Sequence, residues 1–179
     1  DGTAVSAAEV THTAITNGYS FTYTPSAAMG DGAHTVSVEA ADNDGNAAAA
    51  KSTTFTVDTV PPALKVTSPA EGLVTATAAL AVSGTTNDAT SSPVVITVTL
   101  NSADQGPVTV QANGSFSKTV TLAEGANTIV VTATDAAGKV STVTRNVTLD
   151  TSVPQIVSAG ITPNPADAGA TVTITVVVQ

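Results

Sequence analysis

Residues 31–48 and 124–141 are two copies of one stretch, and any fold for this chain has to accommodate that duplication. The first reads DGAHTVSVEAADNDGNAA and the second EGANTIVVTATDAAGKVS. At a constant offset of 93, Gly32 falls on Gly125, Thr35 on Thr128, Ala40 on Ala133, Asp42 on Asp135 and Gly45 on Gly138. Each copy runs on to an acidic residue and a proline: Asp58-Thr-Val-Pro61 after the first, Asp150-Thr-Ser-Val-Pro154 after the second. Self-similarity at such a period marks tandem copies of one structural unit.

The unit is built from strands. Val and Thr dominate its periodic segments, and β-branched side chains suit a pleated, half-buried surface. Val94, Ile96, Val98 and Leu100 alternate with polar partners in the clearest period-2 run of the chain. Around it lie further short runs: Leu64–Val66, Leu80–Val82, Val108–Val110, Phe116–Leu122, Ile129–Ala133 and Val143–Leu149. Turn residues separate them, among them Asn113-Gly114 and Asp135–Gly138. Seven short strands at this spacing predict an all-β, Greek-key sandwich of the Ig-like kind. Residues 59–150 are expected to form one complete unit. Residues 1–58 read as an N-terminally incomplete unit, with weak strands in 4–16 and stronger ones at Tyr19–Thr24, Thr35–Ala41 and Ser52–Val57. Residues 151–179 read as the first strands of a third. An Asp1-Gly2 turn dipeptide opens the sequence with no strand before it, so the ends are expected to be cut within domains. The cores are expected to centre on Phe21 and Phe116, with Phe55 and Val57 turned inward and His34 turned to solvent.

Charge narrows the partners. Fourteen acidic residues against five basic ones leave a formal charge of −9. Nucleic acid and anionic membrane surfaces both demand clustered Lys and Arg, so neither is an expected partner. Divalent cations suit the balance better. No cysteine is present, which excludes disulfides, thiolate zinc sites and catalytic thiols. No apolar run approaches the roughly 20 residues that span a bilayer, so no membrane insertion is expected. His12 and His34 are the only histidines, and neither stands at a recognisable spacing from a nucleophile or a paired acid. The chain is not expected to be an enzyme.

The turn Ala133-x-Asp135-x-x-Gly138-x-x-Ser141 and the D-T-x-x-P linkers at Asp58 and Asp150 resemble those of bacterial Ig-like domains. Such domains occur in long surface adhesins, cell-wall and S-layer-associated proteins and accessory modules of secreted enzymes. The resemblance implies an extracellular or cell-surface location and a structural, spacer-like role in a stalk or fibre. Its partners would be neighbouring Ig-like repeats of the same or an identical chain. Two other roles stay open: a filament subunit completed head to tail by strand donation into a homopolymer, and a carbohydrate- or receptor-binding adhesin module.

Calcium at the junctions is the sharpest site expectation. In an Ig-like sandwich the turn between strands six and seven, the loop between strands two and three and the N-terminus share one end. Asp58 is thereby expected beside Asp135 and beside Asn87-Asp88. Ca²⁺ takes six to eight oxygen ligands, which converging acidic loops supply. The same geometry would bring Asp42 and Asp44 to the linker of a preceding unit, and Asp150 to a following one. Some adhesins of the family hold calcium at inter-domain positions, and the resemblance extends that here. The competing reading is structural: Asp and Asn in such turns bond their own backbone amides.

Overall fold

The computed structural model describes residues 2–179, so the expected Asp1-Gly2 turn falls partly outside the described residues. Every regular element among the described residues is a strand, apart from a one-turn 3-10 helix at Ala7–Glu9. Two hairpins come first. β1 (Val10–Ile15) pairs with β2 (Gly18–Tyr23), and β3 (Gly32–Val38) with β4 (Lys51–Val57). Then follow β5 (Ala63–Ser68), β6 (Leu73–Thr75), β7 (Ala79–Asn87), β8 (Val95–Leu100), β9 (Ala103–Asp104), β10 (Ser115–Thr121), β11 (Gly125–Thr134) and β12 (Val140–Leu149). A last hairpin joins β13 (Ile156–Thr162) to β14 (Thr173–Val178).

β5 to β12 form two sheets, ordered β10-β7-β5 and β6-β12-β11-β8-β9. Inward-facing residues of both make one core: Val66, Val82 and Phe116 from the first sheet, and Ile96, Val98, Ile129, Val131 and Val147 from the second. This is an Ig-like sandwich whose core cluster runs from Val66 to Leu149, with Pro62 also fully buried just ahead of β5. Alternation puts the cluster residues there, since successive side chains of a strand point to opposite faces. Gly84 lies in the middle strand of the first sheet, hemmed in by both of its neighbours, β5 and β10. A β-carbon there would stand 2.2 Å from the Lys65 carbonyl oxygen and 2.8 Å from Phe116 Cζ.

Several expectations need correcting. Val108–Val110 is not a strand: only an isolated bridge joins Val110 to Phe116, and Pro107, which has no amide hydrogen to donate, precedes the run. Two short strands take the count of the complete unit to eight. β6 lies parallel to β12, after the chain crosses from one sheet to the other at 69–72. β9 follows a tight turn in which Asn101 and Ser102 both take positive φ. Phe116 is 3 % exposed as expected, but Phe21 is 64 % exposed, because the β1–β2 face is left open. Phe55 is also exposed. Its ring stacks on His34 at 5.5 Å, and His34 is half-buried with its Nε2 2.8 Å from the Gly30 carbonyl oxygen. His34 is therefore only partly turned to solvent.

Candidate metal centre

Three carboxylates from three separate segments meet where β4 hands over to β5. Asp58 comes from the linker after β4, Asp88 from the loop after β7, and Asp135 from the turn after β11. One oxygen from each lies within 4.8 Å of the others. Sheet topology assembles the group. β7 and β11 run so that their C-terminal ends open on the same end of the sandwich, and the linker reaches that end before β5 begins.

Each aspartate is fixed by its own turn. The Val60 N–H donates to Asp58 Oδ1 at 3.1 Å. The Thr90 and Ser91 N–H groups both donate to Asp88 Oδ1 at 2.8 Å. The Lys139 N–H donates to Asp135 Oδ1 at 2.8 Å. A further bond, from the Ala136 N–H to the Ser91 carbonyl oxygen, ties the loop to the turn. These are the side-chain-to-backbone turns that Asp favours, so the structural reading holds for one oxygen of each residue.

It does not account for the second oxygens. Asp58 and Asp135 are only 9 % and 6 % exposed. The Oδ2 of each is buried and accepts no hydrogen bond. Other buried polar groups fare differently: Asn127 receives and donates four bonds, and the Thr86 hydroxyl donates to the Ala63 carbonyl oxygen. Burying charged oxygens unpaired is strongly unfavourable. At 4.8 Å and an effective dielectric near 20, two unit charges repel by roughly 3.5 kcal/mol. No Lys, Arg or His lines the shallow cavity of about 290 Å³ beside Asp58, whose walls are Thr56, Thr90, Ser91, Ser92, Ala136 and Ala137. An all-oxygen donor set with no imidazole or thiolate suits a hard divalent cation rather than zinc or copper.

The remaining aspartates and asparagine lie elsewhere. Asn87 ends β7, exposed and opposite Ala63, and lines a wider groove on the flank of the sandwich. Its neighbour Asp88 borders the same groove, and its carboxylate also joins the cluster. Asp42 is exposed in the first copy of the turn, where Asn46 donates to both of its oxygens. The side-chain amide, then the backbone N–H of Asn46, holds the Asp42 carboxyl below its ordinary range. Asp44 is exposed beside it and gives its N–H to Asp42 Oδ1. Asp150 is exposed and accepts from the Ser152 hydroxyl and N–H, which lower its pKa in that order. Among the carboxylates of the described residues the structure brings Asp58, Asp88 and Asp135 together.

Sequence reasoning overlooked the residues that hold the linkers. Asp31 accepts from the N–H and hydroxyl of Thr59, and Glu124 accepts in the same way from Thr151. The signal was present. Asp31 and Glu124 share the 93-residue offset, and each stands one residue before the paired glycines.

With this geometry in hand, comparisons place the chain. Residues 62–151, half of the chain, match the family described as glucodextranase, domain B, and residues 3–59 match the bacterial Ig-like domain. The chain belongs to the first of these families. Such domains are typically non-catalytic and commonly extracellular, although domain B is named as part of an enzyme. Among solved structures, the Ig-like chain is similar to one described as "Structures of Clostridium thermocellum CbhA fibronectin(III)-like modules". Identity is 17 % over 74 % of this chain and 68 % of that one, with a TM-score of 0.47. No curated protein matches the Ig-like chain in sequence. No helix among its described residues is long and apolar enough to cross a membrane.

Proposed function

We propose that this chain is an extracellular spacer, a run of Ig-like modules in a bacterial surface protein or fibre, whose first joint is stiffened by calcium. The cation would be held by Asp58 from the linker and by Asp88 and Asp135 from the module that follows. What carries the reading is the pair of buried oxygens, Oδ2 of Asp58 and of Asp135, that no described residue satisfies. Calcium would offset most of the cluster's negative charge, and nearby carbonyl and water oxygens would complete its shell. Asp150 repeats the Asp58 turn, its Oδ1 accepting from the second residue on, and would serve a following module in the same way.

Thermal unfolding tests this directly. A ligand at 100 times its Kd stabilises by about 2.7 kcal/mol, and a domain of this size shifts by about 4–8 °C per kcal/mol. Calcium should therefore raise the midpoint by roughly ten degrees or more over chelator. Asp135→Asn should melt higher than the parent in chelator, because one repelling charge is gone, and should lose the calcium shift. Equal midpoints with and without calcium in the parent would remove the proposal.

A second reading has its own observation. β13–β14 leave Ile156, Ile161, Ile174 and Val176 exposed, and β2 leaves Tyr19 and Phe21 exposed. The β13–β14 hairpin corresponds in order to β5 and β7, and β2 to β10, the strand that pairs with β7. A second copy of the chain could thus cover these faces by strand donation. Sedimentation would show concentration-dependent polymers; a monomer at high concentration would rule this out.

A further inference from the structure

The two copies of the turn share a backbone and differ at three side chains, Asn43 for Ala136, Asp44 for Ala137 and Asn46 for Lys139, and the last of these bears on whether an oxygen is left for a cation. In the first copy the Asp42 N–H donates to the Asn46 carbonyl oxygen at 3.0 Å and the Gly45 N–H to the Asp42 carbonyl oxygen at 3.1 Å. In the second, the corresponding Asp135–Lys139 and Gly138–Asp135 bonds are 3.1 and 3.2 Å. In both, the Oδ1 of the aspartate accepts the N–H of the fourth residue on, at 2.8 Å. The copies part at Oδ2. Asn46 Nδ2 donates to Asp42 Oδ2 at 2.8 Å. Lys139 stands at the Asn46 position, and Asp135 Oδ2 has no partner.

We infer that the residue four places after the turn aspartate selects which modules take a divalent cation, Asn46 closing the first copy and Lys139 leaving the second open. The inference rests on the calcium reading of the Asp58, Asp88 and Asp135 cluster. A short carboxamide fits back onto its own turn and occupies the lone pair that a cation would need. A lysine cannot do this with its stem, and its ammonium does not reach the buried oxygen. A tandem array could then mix stiff, calcium-loaded joints with joints indifferent to calcium, coded at one position per module.

The test is Lys139→Asn in the 179-residue chain, with Lys139→Ala as the control for lost charge. Each is melted in chelator and across a calcium titration. Lys139→Asn should melt above Lys139→Ala in chelator, because Asp135 Oδ2 gains a donor, and should bind calcium at least about tenfold more weakly than the parent, a loss of about 1.4 kcal/mol. Lys139→Ala should keep the parent's calcium shift or enlarge it. Calcium binding by Lys139→Asn as tight as the parent's would overturn the inference, the amide then turning its own oxygen to the cation. So would chelator midpoints that match for the two variants. A parent blind to calcium, with Lys139→Asn still raised in chelator, would instead defeat the calcium reading and leave the turn-closing role of the carboxamide standing.

Discussion

Phe116 and Phe21 have the same side chain in comparable strands and opposite surroundings. Phe116 touches the Gly84 backbone inside the sandwich, where an added β-carbon would sit 2.8 Å from its ring. Phe116→Ala should destabilise the chain by about 3–5 kcal/mol, whereas Phe21→Ala should stay within about 0.5 kcal/mol. Gly84→Ala should cost about 3 kcal/mol or more, because the obstacle is the Lys65 carbonyl oxygen and backbone does not step aside. Urea denaturation followed by circular dichroism reads all three, and a Phe21→Ala loss as large as that of Phe116→Ala would mean a covered first hairpin. At this scale period-2 alternation correctly marked which residues share a face. It could not say whether a second sheet covers that face, since covering is a long-range fact. The Asp88 and Asn87 pair makes the same point about the site. Asn87 ends β7 and Asp88 opens the loop beyond it; both border the flank groove, and the loop rather than strand alternation brings the Asp88 carboxylate to the cluster.

Elements read with strong local pattern were legible, and those held by distant partners were not. β8 and β11 announce themselves by alternation. β6 is three residues long, and its reason for existing lies more than seventy residues away. Val147, Thr148 and Leu149 are its ladder partners, the Gly72 N–H donates to the Asn146 carbonyl oxygen, and Glu71 accepts from the N–H and the side-chain amide of Asn146. The Asn146 side chain, then its backbone N–H, lowers the pKa of Glu71 from its ordinary 4.5, with Arg145 adding a weaker Coulombic pull. A carboxylate whose folded pKa is depressed contributes stability above the unfolded value, and that contribution disappears as pH falls through the folded one. Melting midpoints should accordingly drop more steeply below pH 4.5 in the parent than in Glu71→Gln, while the two run parallel near neutrality. Parallel curves throughout would show that Glu71 does not fasten β6. Because the group is exposed, the difference should be small.

At the scale of the whole chain the two linkers provide an internal comparison. Both follow the same pattern: an acidic pin on the threonine, Asp31 to Thr59 and Glu124 to Thr151, and an aspartate turned onto the second residue on. Before any cation arrives, then, the linker amides are held alike. Only the first has two further carboxylates facing its aspartate among the described residues. Calcium should therefore slow hydrogen exchange at Thr59 and Val60 by tenfold or more if it adds about 1.4 kcal/mol to opening there. Thr151 and Ser152 should exchange at the same rate with and without it. The contrast separates a bound ion from a general effect of ionic strength, since screening would act on both acidic linkers equally. Slowing at both linkers would point to charge screening, and slowing at neither would leave the first joint held by its turn hydrogen bonds alone. A stalk built on the first outcome would gain its stiffness joint by joint, wherever a linker aspartate meets a turn that has kept one carboxylate oxygen bare.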